Sequence, residues 1–227
     1  MKRRMSVGSS STVAALAILA GLIALGLAAR RAMAVTTITG TTIITTPGEY
    51  LVTADFTGSI IIEASDVDLN LGGHTITVVG ASTGVWVVMG TASVHINNGT
   101  LIGSPSGIAG VVVGGADVHV NNLTATNVGI GIFLESDGGG DFINSTVCSN
   151  NIYGIVVNSQ GNTIDVGNVC SNNVVSGIAV FSQSNSIKGN TALNNGIDDL
   201  YDTNLGCDSN TWVGNRFKTA NQPSCIH

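Results

Sequence analysis

The chain has 227 residues with eight basic and fourteen acidic groups, a formal charge of −6. Its first 34 residues hold five of the bases (Lys2, Arg3, Arg4, Arg30 and Arg31) and none of the acids, so residues 35–227 keep only Lys188, Arg216 and Lys218 and carry a charge of −11. Such a body repels nucleic acid and anionic membranes, and it repels an anionic polysaccharide unless the three bases converge or a bound cation inverts the local field.

The chain opens on a targeting segment, residues 1–34. A basic start is followed by an apolar and glycine run from Val13 to Ala29, and Ala32-Met33-Ala34 has the small-x-small form of a cleavage site. It reads as a signal peptide that leaves Val35 as the mature N-terminus. The run also reaches the lower limit of a membrane span, about 17–25 residues. A retained N-terminal membrane anchor is therefore the alternative, and the only membrane contact expected. Either way the remainder is exported, as a secreted or cell-surface protein, extracellular or periplasmic. Residues 35–57, with the turn Pro47-Gly48-Glu49-Tyr50, are expected to cap the domain that follows.

From residue 58 onward the sequence repeats. A glycine followed by an apolar run stands at Gly84, Gly107, Gly131, Gly154 and Gly177, at spacings of 23, 24, 23 and 23, with Asp199 next in phase. A second strand aligns as Val67-Asp68-Leu69, Val94-His95-Ile96, Val118-His119-Val120, Thr163-Ile164, Ser186-Ile187 and Thr211-Trp212. Three prolines, abundant Val, Ile and Thr, and almost no 3.6-residue pattern point to an all-β chain. Coils of this length, each with short strands and turns, cannot bury an apolar face alone and must stack. The period predicts a parallel β-helix over residues 58–227, about seven coils at about 4.8 Å per step, with caps at both ends. Asparagines recur at fixed phase (Asn98, Asn122, Asn168, Asn190; Asn150-Asn151, Asn172-Asn173, Asn194-Asn195). At the turns of a stack they are expected to form side-chain ladders.

Four cysteines in an exported chain permit disulfides. A bridge from Cys207 to Cys225 would tie down the C-terminal tail. Cys148 and Cys170 fall in identical Val-Cys-Ser-Asn-Asn segments, so they are expected as stacked neighbours, either bridged or as two free buried thiols.

The segment Asp66-Val67-Asp68-Leu69-Asn70-Leu71-Gly72-Gly73-His74-Thr75-Ile76, the Gly-Ile-x-Val coils and the ending Asn194-Asn195-Gly196-Ile197-Asp198-Asp199-Leu200 with Cys207…Phe217 resemble the secreted right-handed parallel β-helix proteins of the pectin-lyase-like superfamily. The resemblance covers about residues 45–227. It implies the fold, and a range of roles: polysaccharide lyases, glycosidases, uronan epimerases and adhesins. Fold alone does not choose among them.

Candidate sites are few. Elimination on a uronan needs a base and a cation at the carboxylate, and hydrolysis needs two carboxylates at a set separation. Lys188, Asp198, Asp199 and Arg216 are the catalytic candidates, with Asp165 expected as the vertical neighbour of Lys188. Asp198, Asp199 and Asp202 form the one dense acidic cluster, a candidate for calcium, although the sequence requires no cofactor. Capping aspartates at the last coil are the alternative. The Gly-His-Gly of polygalacturonase-type hydrolases and the Asp-Pro-His of uronan epimerases are absent. Asp68, His95 and His119 occupy one outward column, a candidate for a transition metal. His74 reads as part of a turn. Trp86, Tyr153, Phe181 and Tyr201 recur near the anchor strand, either as a strip for sugar stacking or as packing. Together these features predict an exported, monomeric, non-catalytic protein that binds a polysaccharide or cell-surface glycan. A small lyase or hydrolase, and a structural or adhesive module, are the alternatives.

Overall fold

Parallel strands, most of them of two to five residues and two of eleven (Ala92–Ile102 and Ala116–Thr126), each repeating one rung further along, account for almost all regular structure in the computed structural model. The structure describes residues 34–227 apart from 105, 136, 137 and 208. The segment expected as a signal peptide or anchor lies outside the described residues, save Ala34. Val35–His227 form one compact unit.

The chain is a parallel β-helix. One sheet, here sheet A, runs through nine strands from Thr36–Ile38 to Thr211–Val213. Sheet B runs through eight, from Thr42–Ile44 to Asp198–Asp202. Register makes the alternation of strand side chains explicit. Inward columns are Leu69, Ile96, Val120, Ile143, Ile164, Ile187 and Trp212 in sheet A and Ile60, Val85, Val111, Ile132, Ile155, Ile178 and Leu200 in sheet B. All are essentially inaccessible to solvent. Residues 35–57 supply strands to both sheets, pairing Thr42–Ile44 with Ile60–Ile62 and Gly48–Leu51 with Val67–Asn70. They therefore form a rung of the stack in their own right.

The register corrects one anchor of the repeat. Val111 pairs with Val85 and Ile132, so Gly110, not Gly107, is the partner of Gly84 and Gly131. Gly107 instead closes a turn on the Ser104 carbonyl at 2.7 Å. The reason for glycine is close approach: a Cβ on Gly110 would stand 2.7 Å from the Gly131 carbonyl oxygen, and one on Gly84 2.8 Å from that of Gly110.

Asparagine ladders hold the C-terminal half. The Asn151 N–H donates to Asn173 Oδ1 (3.0 Å), Asn173 N–H to Asn195 Oδ1 (2.9 Å), and Asn195 N–H to Asp199 Oδ1 (3.0 Å). The preceding residues Asn150, Asn172 and Asn194 take left-handed backbone conformations, with φ near 60°. Each Asn-Asn pair thus divides the work: the first residue turns the chain and the second bonds the next rung. A second ladder links Asn168, Asn190 and Asn215, and a third links Asp141, Asn162, Asn185 and Asn210.

Cys207 and Cys225 form the expected disulfide, with Cα atoms 6.0 Å apart. Of the two readings for Cys148 and Cys170, the structure takes free thiols, fully buried in the core. Burial, then a hydrogen bond with Cys148, pushes the Cys170 thiol well above its ordinary range.

Candidate functional site

The C-terminal candidates fall on different sides of the rod. Lys188 is exposed on sheet A. Asp165 does stand one rung before it, because Ile164 pairs with Ile187, but the close carboxylate contacts to basic side chains among the described residues are Asp55–His74 and Asp117–His119, and none involves Lys188. Asp198 lies on sheet B opposite Ser176, and Arg216 bridges to Thr191 on the third side. Burial, then the charge of Asp199, raises the Asp198 carboxyl. The structure does not bring Lys188, Asp198, Asp199 and Arg216 into one site.

Asp199 and Asp202 point inward and end the ladders. Asp199 Oδ1 accepts from Asn195, and Oδ2 accepts from the N–H groups of Lys218 (2.8 Å) and Thr219 (3.2 Å). Burial raises its carboxyl, but these hydrogen bonds outweigh burial and hold it below its usual range. Asp202 takes the rung position of Val180 and sits fully buried. Its Oδ1 accepts from Asn204, and its Oδ2 from Asn210 Nδ2 (3.0 Å) and Trp212 Nε1 (2.9 Å). Two of the three carboxylates expected for calcium, Asp199 and Asp202, thus face the core with their oxygens taken by protein donors, while Asp198 is partly exposed. Of the two sequence readings, capping aspartates describe this geometry.

The polar column on sheet A is in register as expected. Asp68 pairs with His95 and His95 with His119; Glu49 precedes them and Phe142 follows. The imidazole centroids of His95 and His119 are 4.8 Å apart. Asp68 is engaged elsewhere, accepting from Asn97 Nδ2 at 3.2 Å. The carboxylate that meets the histidines is Asp117, whose Oδ1 lies 3.3 Å from His119 Nε2 and whose Oδ2 accepts from Ser93 Oγ at 3.1 Å. Sequence reasoning missed Asp117. Its left-handed backbone, φ 54°, bends the start of the strand Ala116–Thr126, and its side chain reaches His119, two residues on. His74 is structural as read: Asp55 bonds both its ring and the Thr75 N–H.

Sheet B presents a different face. Its outward column reads Ile43, Ile61, Trp86, Val112, Phe133, Val156, Ala179 and Tyr201, apolar at every rung. Trp86 is 41% exposed and Phe181 43%. A groove of about 380 Å³ runs past Trp86, with Ile61, Ile108 and Val112 on its walls and Ser59, Ser82, Thr83 and Glu135 at its rim. A second, of about 280 Å³, is lined by Tyr153, Phe181, Tyr201 and Ile197. The ring centroids of Phe181 and Tyr201 are 5.9 Å apart. The aromatic residues left open by the sequence are thus outside the coil, on one face.

A family profile described as NosD, periplasmic copper-binding protein, matches residues 36–226. The chain belongs to the NosD family. That family is periplasmic, in keeping with an exported chain. No curated protein matches the sequence. Among solved structures, the chain is similar to the enzymatically active domain of tailspike protein 2 of bacteriophage CBA120, at 14% identity and a TM-score of 0.47, over 81% of this chain and 38% of that one. It is also similar to the A-module of the mannuronan C-5 epimerase AlgE6 of Azotobacter vinelandii, at 16% identity and a TM-score of 0.42, over 91% of this chain and 72% of that one. The chain therefore spans well under half of the tailspike domain.

The NosD description raises copper, and the donor set can be tested against it. Among the described residues no three His, Cys, Asp or Glu side chains converge on a metal-sized centre. The thiols of Cys148 and Cys170 are sealed in the core, and Cys207 and Cys225 are bonded to each other. His95 and His119 are a pair of neighbouring imidazoles on an accessible face. Imidazole suits copper. The arrangement fits an open site with two protein donors, and it does not fit a closed centre of three or four.

Proposed function

We propose that this NosD-family chain is an exported, non-catalytic binding protein that holds a neutral glycan along the outer face of sheet B. The observation that carries the reading is the groove beside Trp86. An exposed indole flanked by hydroxyls and one carboxylate offers a stacking platform with hydrogen-bonding groups at its edge. The charge balance favours a neutral chain. Lys188 and Arg216 stand on the other sides of the rod, and Lys218 reaches Asn194 in the C-terminal turn, so these cations do not line the groove. The groove carries instead Glu135, which repels a uronan. The scatter of Lys188, Asp198, Asp199 and Arg216 supports the non-catalytic side of the reading over a lyase or hydrolase.

The test is to incubate residues 35–227 with neutral glycans and with uronans, with and without calcium. Binding is followed by calorimetry, and turnover by unsaturated-product absorbance and reducing ends. Binding of a neutral glycan without turnover, lost in Trp86→Ala, is the expected result. Turnover that disappears in Lys188→Ala would replace this reading with the enzymatic one. No binding and no turnover would leave the structural or adhesive role.

A further inference from the structure

On the polar face of sheet A, independently of the glycan reading, the geometry points to a second site: we propose that His95 and His119 together bind one copper ion, with Asp117 as the positioning residue.

Parallel register forces the pairing. Residues in register on successive rungs stand about 4.8 Å apart, and the rings of His95 and His119 keep that distance, 4.8 Å. Metal–imidazole bonds are about 2.0 Å, so rings at this separation are close enough for one ion to take a nitrogen from each. The other imidazole of the coils, on His74, is held by Asp55 and is not in this column.

The second observation concerns tautomer. An ionised carboxylate only accepts, so the bond from His119 to Asp117 Oδ1 places the proton on Nε2. That leaves the Nδ1 lone pair free. Ser93 Oγ fixes the other oxygen of Asp117. A ligand imidazole whose far N–H is held by a carboxylate, itself held by a hydroxyl, is the arrangement that orients a metal-binding histidine and raises its basicity.

The surroundings favour a cation. Glu49 and Asp68 continue the same column and Asp117 lies beside it, while Lys188 is several rungs away on the same sheet. Among divalent ions at an imidazole site copper binds most tightly. Two protein donors leave the remaining positions to water or to a ligand from another molecule. Such a site exchanges its ion readily, in contrast to a buried centre that keeps it.

The test uses residues 35–227, freed of metal, titrated with Cu(II) and observed by EPR and calorimetry. The expected result is one Cu(II) per chain with hyperfine splitting from two imidazole nitrogens. Asp117→Asn should weaken binding about tenfold, as loss of an outer-shell partner does, while the two-nitrogen pattern stays. His95→Gln and His119→Gln should each weaken it by more than that and leave one nitrogen, whereas His74→Gln and His227→Gln should change nothing. The wild-type spectrum alone decides the case should a variant misfold: absence of a two-nitrogen species overturns the proposal. Undiminished binding in the His95→Gln/His119→Gln double variant overturns it as well. Glycan binding at the Trp86 groove is unaffected by any of these changes, so failure of one site is distinguishable from failure of the other.

Discussion

The two sheets share one interior and differ outside. Both bury unbroken columns of Ile, Val and Leu. Outside, sheet A carries Glu49, Asp68, His95, His119, Phe142, Thr163, Ser186 and Thr211 in one column. Sheet B carries Ile43, Ile61, Trp86, Val112, Phe133, Val156, Ala179 and Tyr201. Stacking demands apolar residues only on the inner side of each strand. A sheet face left to water alternates to polar residues, as sheet A does. The apolar outer column of sheet B is not required by the stack; Val112, Val156 and Ala179 are buried within it while Ile43 and Trp86 are exposed, so the surface it offers to the proposed glycan is centred on Trp86. The comparison teaches that in this rod the inner columns carry stability and the outer ones are free to carry function.

The sharpest test of that division lies in the turns beneath both faces. Asn168 is buried; its Oδ1 accepts from Thr146 N–H and Oγ, and the two hydrogens of its Nδ2 are shared among the Ile143 and Asp165 carbonyls and Asn190 Oδ1. Asn168→Ala strands these partners in the core. Urea unfolding should show a loss of about 3–5 kcal/mol, and both binding activities should fall with the fold.

Asp141 should move the other way. It heads a ladder in which the next members are Asn162 and Asn185; it is buried, and its Oδ2 has no partner. Burial pushes its carboxyl up to about 6. A carboxyl raised in the folded state binds its proton more tightly there than in the unfolded chain. Its contribution is therefore harmless below about pH 4 and increasingly destabilising as pH rises from about 4 to about 6. Asn at this position would repeat the ladder, and Asp141→Asn should stabilise the protein by about 1–3 kcal/mol at pH 7 and much less at pH 4.5. Equal gains at the two pH values would break this account.

Asp199 has the opposite sign. Its carboxyl is held below the usual range, so the stability it supplies is present above about pH 4 and lost as pH falls further. Acid unfolding of Asp199→Asn should begin from a lower stability at pH 7 and show a shallower decline below pH 4. The smallest effect is expected outside. Trp86→Thr should cost under about 1 kcal/mol, as surface changes do, while removing glycan binding. A cost of several kcal/mol would mean that the indole is packing and not a platform.

The sequence made the stack legible because its period is set by a physical repeat, and the column Asp68, His95, His119 followed from counting along it. Where the count slipped, the cause was local. Five glycines between Gly103 and Gly115 offered competing phases, and only pairing of Val111 with Val85 selects Gly110. The face of Trp86 stays open in the sequence because alternation has no origin until Val85 is set inward by its pairing with Ile60 and Val111. Asp199 and Asp202 left calcium binding and capping both open because nothing in the chain announces that the inward column of Val87, Val113, Leu134, Val157 and Val180 ends in a carboxylate. Trp212 and Asn210, which receive it, lie eight to ten residues further on.

The chain has two tryptophans, Trp86 at 41% exposure and Trp212 at 1%. Intrinsic emission therefore separates the outer face of sheet B from the core in one titration. Adding a neutral glycan should shift the Trp86 emission to the blue, in a saturable way, and the shift should vanish in Trp86→Phe, where Trp212 alone reports. An unchanged spectrum for every neutral glycan tried, or an equal shift in Trp86→Phe, would contradict the assignment of this face as the binding surface.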